Sequence, residues 1–167
     1  MNPVVIANFV SLIGCIMMVL TGFIKKKEHI LLTQCFQFGF LGAGNLILGA
    51  YAGFVSGVIS IIRNLAAARF PINTPMKLGF IAVQVLLSIG AVQKSPLEWL
   101  PIFSGFLFTW FIDAKSVTVL KIAIIAAQAM WLIYDFTYQN YVTMTCDLFT
   151  ILSNLAGIWM VRKQVKA

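Results

Sequence analysis

The chain has 167 residues, 60% of them hydrophobic and 10% charged, with a mean hydropathy of +0.94. Soluble domains carry roughly 25% charged residues, so this composition excludes an ordinary soluble or disordered chain and predicts an integral membrane protein. The net charge of +7 comes from bases gathered between apolar runs, which argues for a bilayer and against a nucleic-acid partner.

Taken in order, apolar runs of the length a hydrocarbon core demands predict helices at 3–24, 30–50, 52–70, 78–93, 97–112, 117–137 and 141–162. The breaks between them are "KKKEH", the "AG" of "GAYAG", "PINTP", "QKSP", "DAKS" and "YQN". No base precedes the first run and no small-residue cleavage site is evident, so the first helix is expected to be retained. Threaded through seven spans, Lys25, Lys26, Lys27, Arg69, Lys77, Lys115, Lys121, Arg162, Lys163 and Lys166 fall on one side or at helix ends facing it. Lys94 falls on the other, and Arg63 is left inside a helix. Positive residues are retained on the cytoplasmic side, which predicts the amino terminus outside and the carboxy terminus cytoplasmic.

An odd count also lets two triplets of helices run in the same direction. At an offset of 90, "YAGFVSGVISIIRNLA" (51–66) lies over "YVTMTCDLFTILSNLA" (141–156), with Tyr51, Ile61, Asn64, Leu65 and Ala66 repeated at Tyr141, Ile151, Asn154, Leu155 and Ala156. At an offset of 88, Thr21, Phe23, Ile24 and Lys27 meet Thr109, Phe111, Ile112 and Lys115. The expected architecture is therefore all-α, seven transmembrane helices as two parallel three-helix bundles, residues 1–70 and 97–167, joined by a linker helix within 71–96.

The polar residues of these spans are few enough to weigh singly. Thr143, Asp147, Thr150 and Asn154 recur on one face of the seventh helix, opposite Gly53, Gly57, Ser60 and Asn64 on the third. At 1.5 Å per residue Asn154 lies ~20 Å below Tyr141, Asn64 ~18 Å below residue 52, and Asp147 only ~9 Å below the outer edge. Asn64 and Asn154 are read as lining a central path, with Ser60, Thr150, Asn45 and Trp131 as further contacts for a solute. Asp147 is the costliest of these groups to place in lipid and is assigned to substrate or coupling. Asp135 and Tyr134 are read as interfacial or as a gate, and Arg63 as an anchor or a substrate contact. Gln34, Gln37, Gln84 and Gln128 are read as ties between helices, and Gly53 and Gly57 as a close-packing pair. Trp110 and Trp159 read as interface anchors.

Cys15, Cys35 and Cys146 lie in apolar runs without ligand spacing, and His29 is the lone histidine. No metal, cofactor or enzymatic grouping is expected.

"SIIRNLAAAR" (60–69), "LPIFSGFLFTWFI" (100–112), "MWLIYDF" (130–136) and "ILSNLAGIWMVRK" (151–163) resemble the YgjV-type bacterial inner-membrane proteins over most of the chain. More distantly, the three-one-three plan is similar to SWEET facilitators, PQ-loop proteins and PnuC-type vitamin carriers. The SWEET resemblance implies that Asn64 and Asn154 face substrate. It also exposes a departure: Pro3, Pro96 and Pro101 are followed by Val, Leu and Ile, so the Pro-Gln hinge is missing. The function expected is inner-membrane transport of a polar, cationic or zwitterionic small molecule by alternating access. The alternatives are a vitamin-capture subunit and a membrane receptor or assembly protein of the same fold, and a homo-oligomer stays open.

Overall fold

A computed structural model of the chain describes residues 2–92 and 95–166. Lys94 and the side chains of residues 162–166 lie outside that description, so the sides expected for Lys94, Arg162, Lys163 and Lys166 are not addressed. The described residues form seven α-helices, α1 (Pro3–Leu20), α2 (Lys27–Ile47), α3 (Tyr51–Arg69), α4 (Thr74–Ile89), α5 (Leu100–Phe111), α6 (Val117–Thr137) and α7 (Tyr141–Lys166), with a 3-10 turn at Pro96–Trp99.

Helix ends follow local chemistry. Asn2 caps α1 by accepting from Val4 N at 2.9 Å, and Asn73 caps α4 by accepting from Met76 N at 3.0 Å. The fifth helix starts at Leu100, three residues later than its apolar run suggests. Pro101 has no amide hydrogen and its ring would meet the Leu97 carbonyl in a continuous helix, so Pro96–Trp99 tightens into a 3-10 turn. α1 ends at Leu20 and not near residue 24, because the carbonyls of Thr21 and Gly22 turn to a side chain on α6.

The turn after α2 is a Schellman motif: Ala50 N donates to Asn45 O and Gly49 N to Leu46 O, with Gly49 at φ 69°. The turn after α6 repeats it 90 residues on. Asn140 N donates to Asp135 O and Gln139 N to Phe136 O, with Gln139 at φ 57°.

α1 packs on α2 and α7, α2 on α3, α3 on α5, α5 on α6 and α6 on α7, closing six helices into a ring; α4 lies outside against α3 and α5. Lys77 at the start of α4 is paired with Asp113 at 2.6 Å beyond the end of α5, and Lys121 of α6 meets the end of α1. These contacts share the face that carries Lys25–Lys27, called the basic face below. Gly53 and Tyr134 meet at the opposite face.

The molecule is turned inside out relative to a soluble domain. Many of its exposed side chains are large and apolar, Phe9, Phe36, Leu86, Leu152 and Trp159 among them, whereas among the described residues buried polar side chains outnumber buried apolar ones. An apolar cluster of Ile30, Leu31, Phe108, Ile112, Leu120 and Ile124 fills the ring near the basic face. α1, α2, α3, α6 and α7 are long and apolar enough to cross a bilayer. The 16 residues of α4 rise about 24 Å, and α5 with its 3-10 turn about 26 Å, slightly short of a ~30 Å core.

Candidate functional site

The ring surrounds a cavity with polar and apolar side chains on its wall, about 620 Å³ of empty space when the open solvent at its mouth is counted. It runs along α2 from Gln34 to Asn45, about 16 Å at the helical rise. α3, α5, α6 and α7 supply the remaining wall and α1 supplies none.

The wall repeats. Gln34, Gln37, Phe38, Leu41 and Asn45 of α2 line it, and so do Ile124, Ala127, Gln128, Trp131 and Asp135 of α6, each 90 residues on. Gly53 and Gly57 of α3 line it together with Thr143 and Asp147 of α7 at the same offset. The equivalence of Asn45 and Asp135 escaped the sequence alignment, which began at Tyr51; the shared turn after α2 and α6 carries the 90-residue register back to them.

Toward the opposite face the cavity is acidic. Asp135 and Asp147 are buried, with their carboxyl groups within hydrogen-bonding reach of each other. Gln128 Nε2 donates to Asp147 Oδ1, and Asn140 Nδ2 to Asp135 Oδ1 at 3.5 Å. The second oxygen of each carboxyl has no partner, and neither has Asn45 Oδ1. Tyr134 does not meet the surface: it is buried, accepts from Gly53 N at 2.9 Å through its hydroxyl, and stacks edge-on with Trp131. Tyr138, in the turn after α6, donates to Glu98, and burial beside that carboxylate holds its phenol above the usual range.

Toward the basic face the cavity ends on a cation. Arg63 is 1% exposed and lies over the Phe108 ring at 4.7 Å. Its Nη1 donates to Thr109 Oγ1 at 3.0 Å and Gly105 O at 3.3 Å, and its Nε to Asn64 Oδ1 at 3.2 Å. It neither snorkels outward nor pairs with a carboxylate; neutral oxygens hold it. Asn64 passes the tie on, donating to Gln34 Oε1 at 3.0 Å. Lys121, expected at a helix end facing the aqueous side, is also 1% exposed and gives its ammonium to Thr21 O at 3.2 Å and Gly22 O at 2.6 Å. A lysine amine at a helix C-terminus meets both free carbonyls and the negative end of the dipole.

The residues singled out from sequence divide in two. Asn45, Ser60, Arg63, Trp131, Asp135 and Asp147 come together on the cavity wall. Asn64, Asn154, Thr150 and Tyr134 are buried without lining it. Asn64 sits behind Arg63, and Asn154 Nδ2 donates to Thr150 O of its own helix at 2.9 Å. Gln34, Gln37 and Gln128, read as ties, also line the wall, whereas Gln84 ties α4 to Ser56 at 3.3 Å. No group of three or more His, Cys, Asp or Glu side chains able to hold a metal occurs among the described residues.

Residues 5–165 match the family model Imp-YgjV, bacterial inner membrane protein. No curated protein and no solved structure matches the chain. The match covers nearly the whole ring, so the chain belongs to the Imp-YgjV family and is a multi-pass protein of the bacterial inner membrane.

Proposed function

We propose that the protein is a small-molecule transporter in which residues 1–70 and 97–167 form two parallel three-helix units that rock about the axial cavity, with 71–96 as linker. The observation that carries this reading is the cavity wall itself: equivalent positions of α2 and α6, and of α3 and α7, face one polar space at a 90-residue spacing. The contacts between the units support it. Arg63 of α3 reaches α5, and its repeat partner Ser153 of α7 reaches α1, donating to Val19 O at 3.1 Å. Repeats related in this way around a midplane site are a recurring carrier plan.

The bases gathered at one face support a cytoplasmic basic face and an outward amino terminus. With an acidic end and a cationic end, the cavity suits a polar solute of cationic or zwitterionic character.

The test is uptake of a bacterial metabolite extract into proteoliposomes, read by mass spectrometry against empty vesicles. At least one polar metabolite is expected to accumulate. Ala127→Trp, which puts an indole into the cavity from α6, should lower that accumulation tenfold or more while the melting transition is kept. Undiminished accumulation in this variant overturns the cavity as the path.

A further inference from the structure

The buried polar groups that line the cavity and lack partners are all acceptors. Asn45 Oδ1, Asp135 Oδ2 and Asp147 Oδ2 each have none, and all three residues line the same wall. Buried acceptors are satisfied in folded proteins with few exceptions, so three carried by residues of one wall call for a donor from outside the chain. By helical rise Asn45 and Asp135 each lie ~3 Å from the ends of their helices and Asp147 ~9 Å from the start of α7, so all three fall within one end of the cavity.

We propose that this end of the cavity binds the ammonium group of a primary amine, its three N–H bonds directed to Asn45 Oδ1, Asp135 Oδ2 and Asp147 Oδ2. This rests on the carrier reading and gives its solute a chemical class. An ammonium matches the site in number, offering three donors and no acceptor. It also matches in charge, because two adjacent carboxyls in a low-dielectric interior favour a cation between them. A proton shared by the two aspartates would satisfy both carboxyls and leave Asn45 Oδ1 orphaned. A water molecule has two donors for three acceptors and brings no charge. A quaternary ammonium has the charge and no N–H, so the acceptors would stay unpaired; specificity for hydrogen-bonding groups arises in this way.

Arg63 lies about 15 Å from Asn45 along the axis, far enough not to contest the cation. It sets the polarity of the solute, turning an anionic or acceptor-bearing end toward α5. Trp131 lines the same wall, an aromatic side chain of the kind that cations favour.

Titration calorimetry of the purified full chain decides the matter, using two pairs of probes that differ in N-methylation: ethanolamine with choline, and glycine with glycine betaine. At least one primary amine is expected to bind tenfold or more tightly than its trimethylated partner. Asn45→Leu should weaken that binding tenfold or more, and Asn45→Asp, which keeps the acceptor, should retain it; a preserved melting transition establishes folding for each. Equal affinity within both pairs, absence of primary-amine binding to the wild type, or binding of sodium alone when sodium replaces potassium, overturns the proposal. Accumulation of a non-amine solute that Ala127→Trp blocks, without amine binding, removes the ammonium assignment and leaves the carrier standing. Amine binding without accumulation of any solute does the reverse.

Discussion

Gln139 holds the left-handed backbone conformation that its repeat counterpart Gly49 holds at the equivalent turn. A residue with a Cβ is strained there by roughly 1–2 kcal/mol, while glycine is not, at a smaller entropic cost. Gln139 is exposed, so its side chain offers little in return. Gln139→Gly should therefore stabilise the protein by about 0.5–1 kcal/mol, read as a higher midpoint in thermal or denaturant melting. Asn64 and Asn154 teach a different lesson. Their burial and depth were legible, because an amide in the middle of an apolar helix must face protein. Which side of the helix met the cavity was not, because Arg63 beside Asn64 takes the axial place and turns the asparagine into its support.

At the scale of elements, α1, α6 and α7 interlock near the basic face through two glycines. A Cβ on Gly22 would collide with Ser153, and one on Gly157 would collide with Gly22 O and come within 3.0 Å of Lys121 Nζ. Gly79 of α4 has nothing within 4 Å of the same added atom. Gly157→Ala is expected to cost about 1–3 kcal/mol as an overpacked contact, and Gly79→Ala to gain up to about 1 kcal/mol from helix propensity. Parallel melting curves in one detergent check both; equal effects of the two substitutions would refute the interlock. α6 was predicted to the residue, since its ends are a serine and a turn. α1 was not, because its last carbonyls are claimed by Lys121, about a hundred residues away.

The whole molecule joins an apolar exterior to a polar axis. Seven helices with bases gathered at one face predict that the two chain ends lie on opposite sides of the membrane. Reporter fusions active only in the cytoplasm should light up at the carboxy terminus and stay dark at the amino terminus, and signal from both would overturn the topology. The ring also brings positions at a 90-residue spacing to one wall. These positions line one cavity with different chemistries, Gly57 against Asp147 in the register and Asn45 against Asp135.

By itself the sequence determined the membrane class and the number of helices, because hydropathy over a span of fixed thickness and the grouping of bases are local properties of the chain. The tertiary structure decided that Asp135 and Asp147 share one space, that Arg63 and Lys121 are held by neutral oxygens, and that Asn64 stands behind the cavity wall. Each of those outcomes depends on the rotation of a helix against partners distant in sequence, and a polar side chain in lipid turns toward whichever partner the ring brings near.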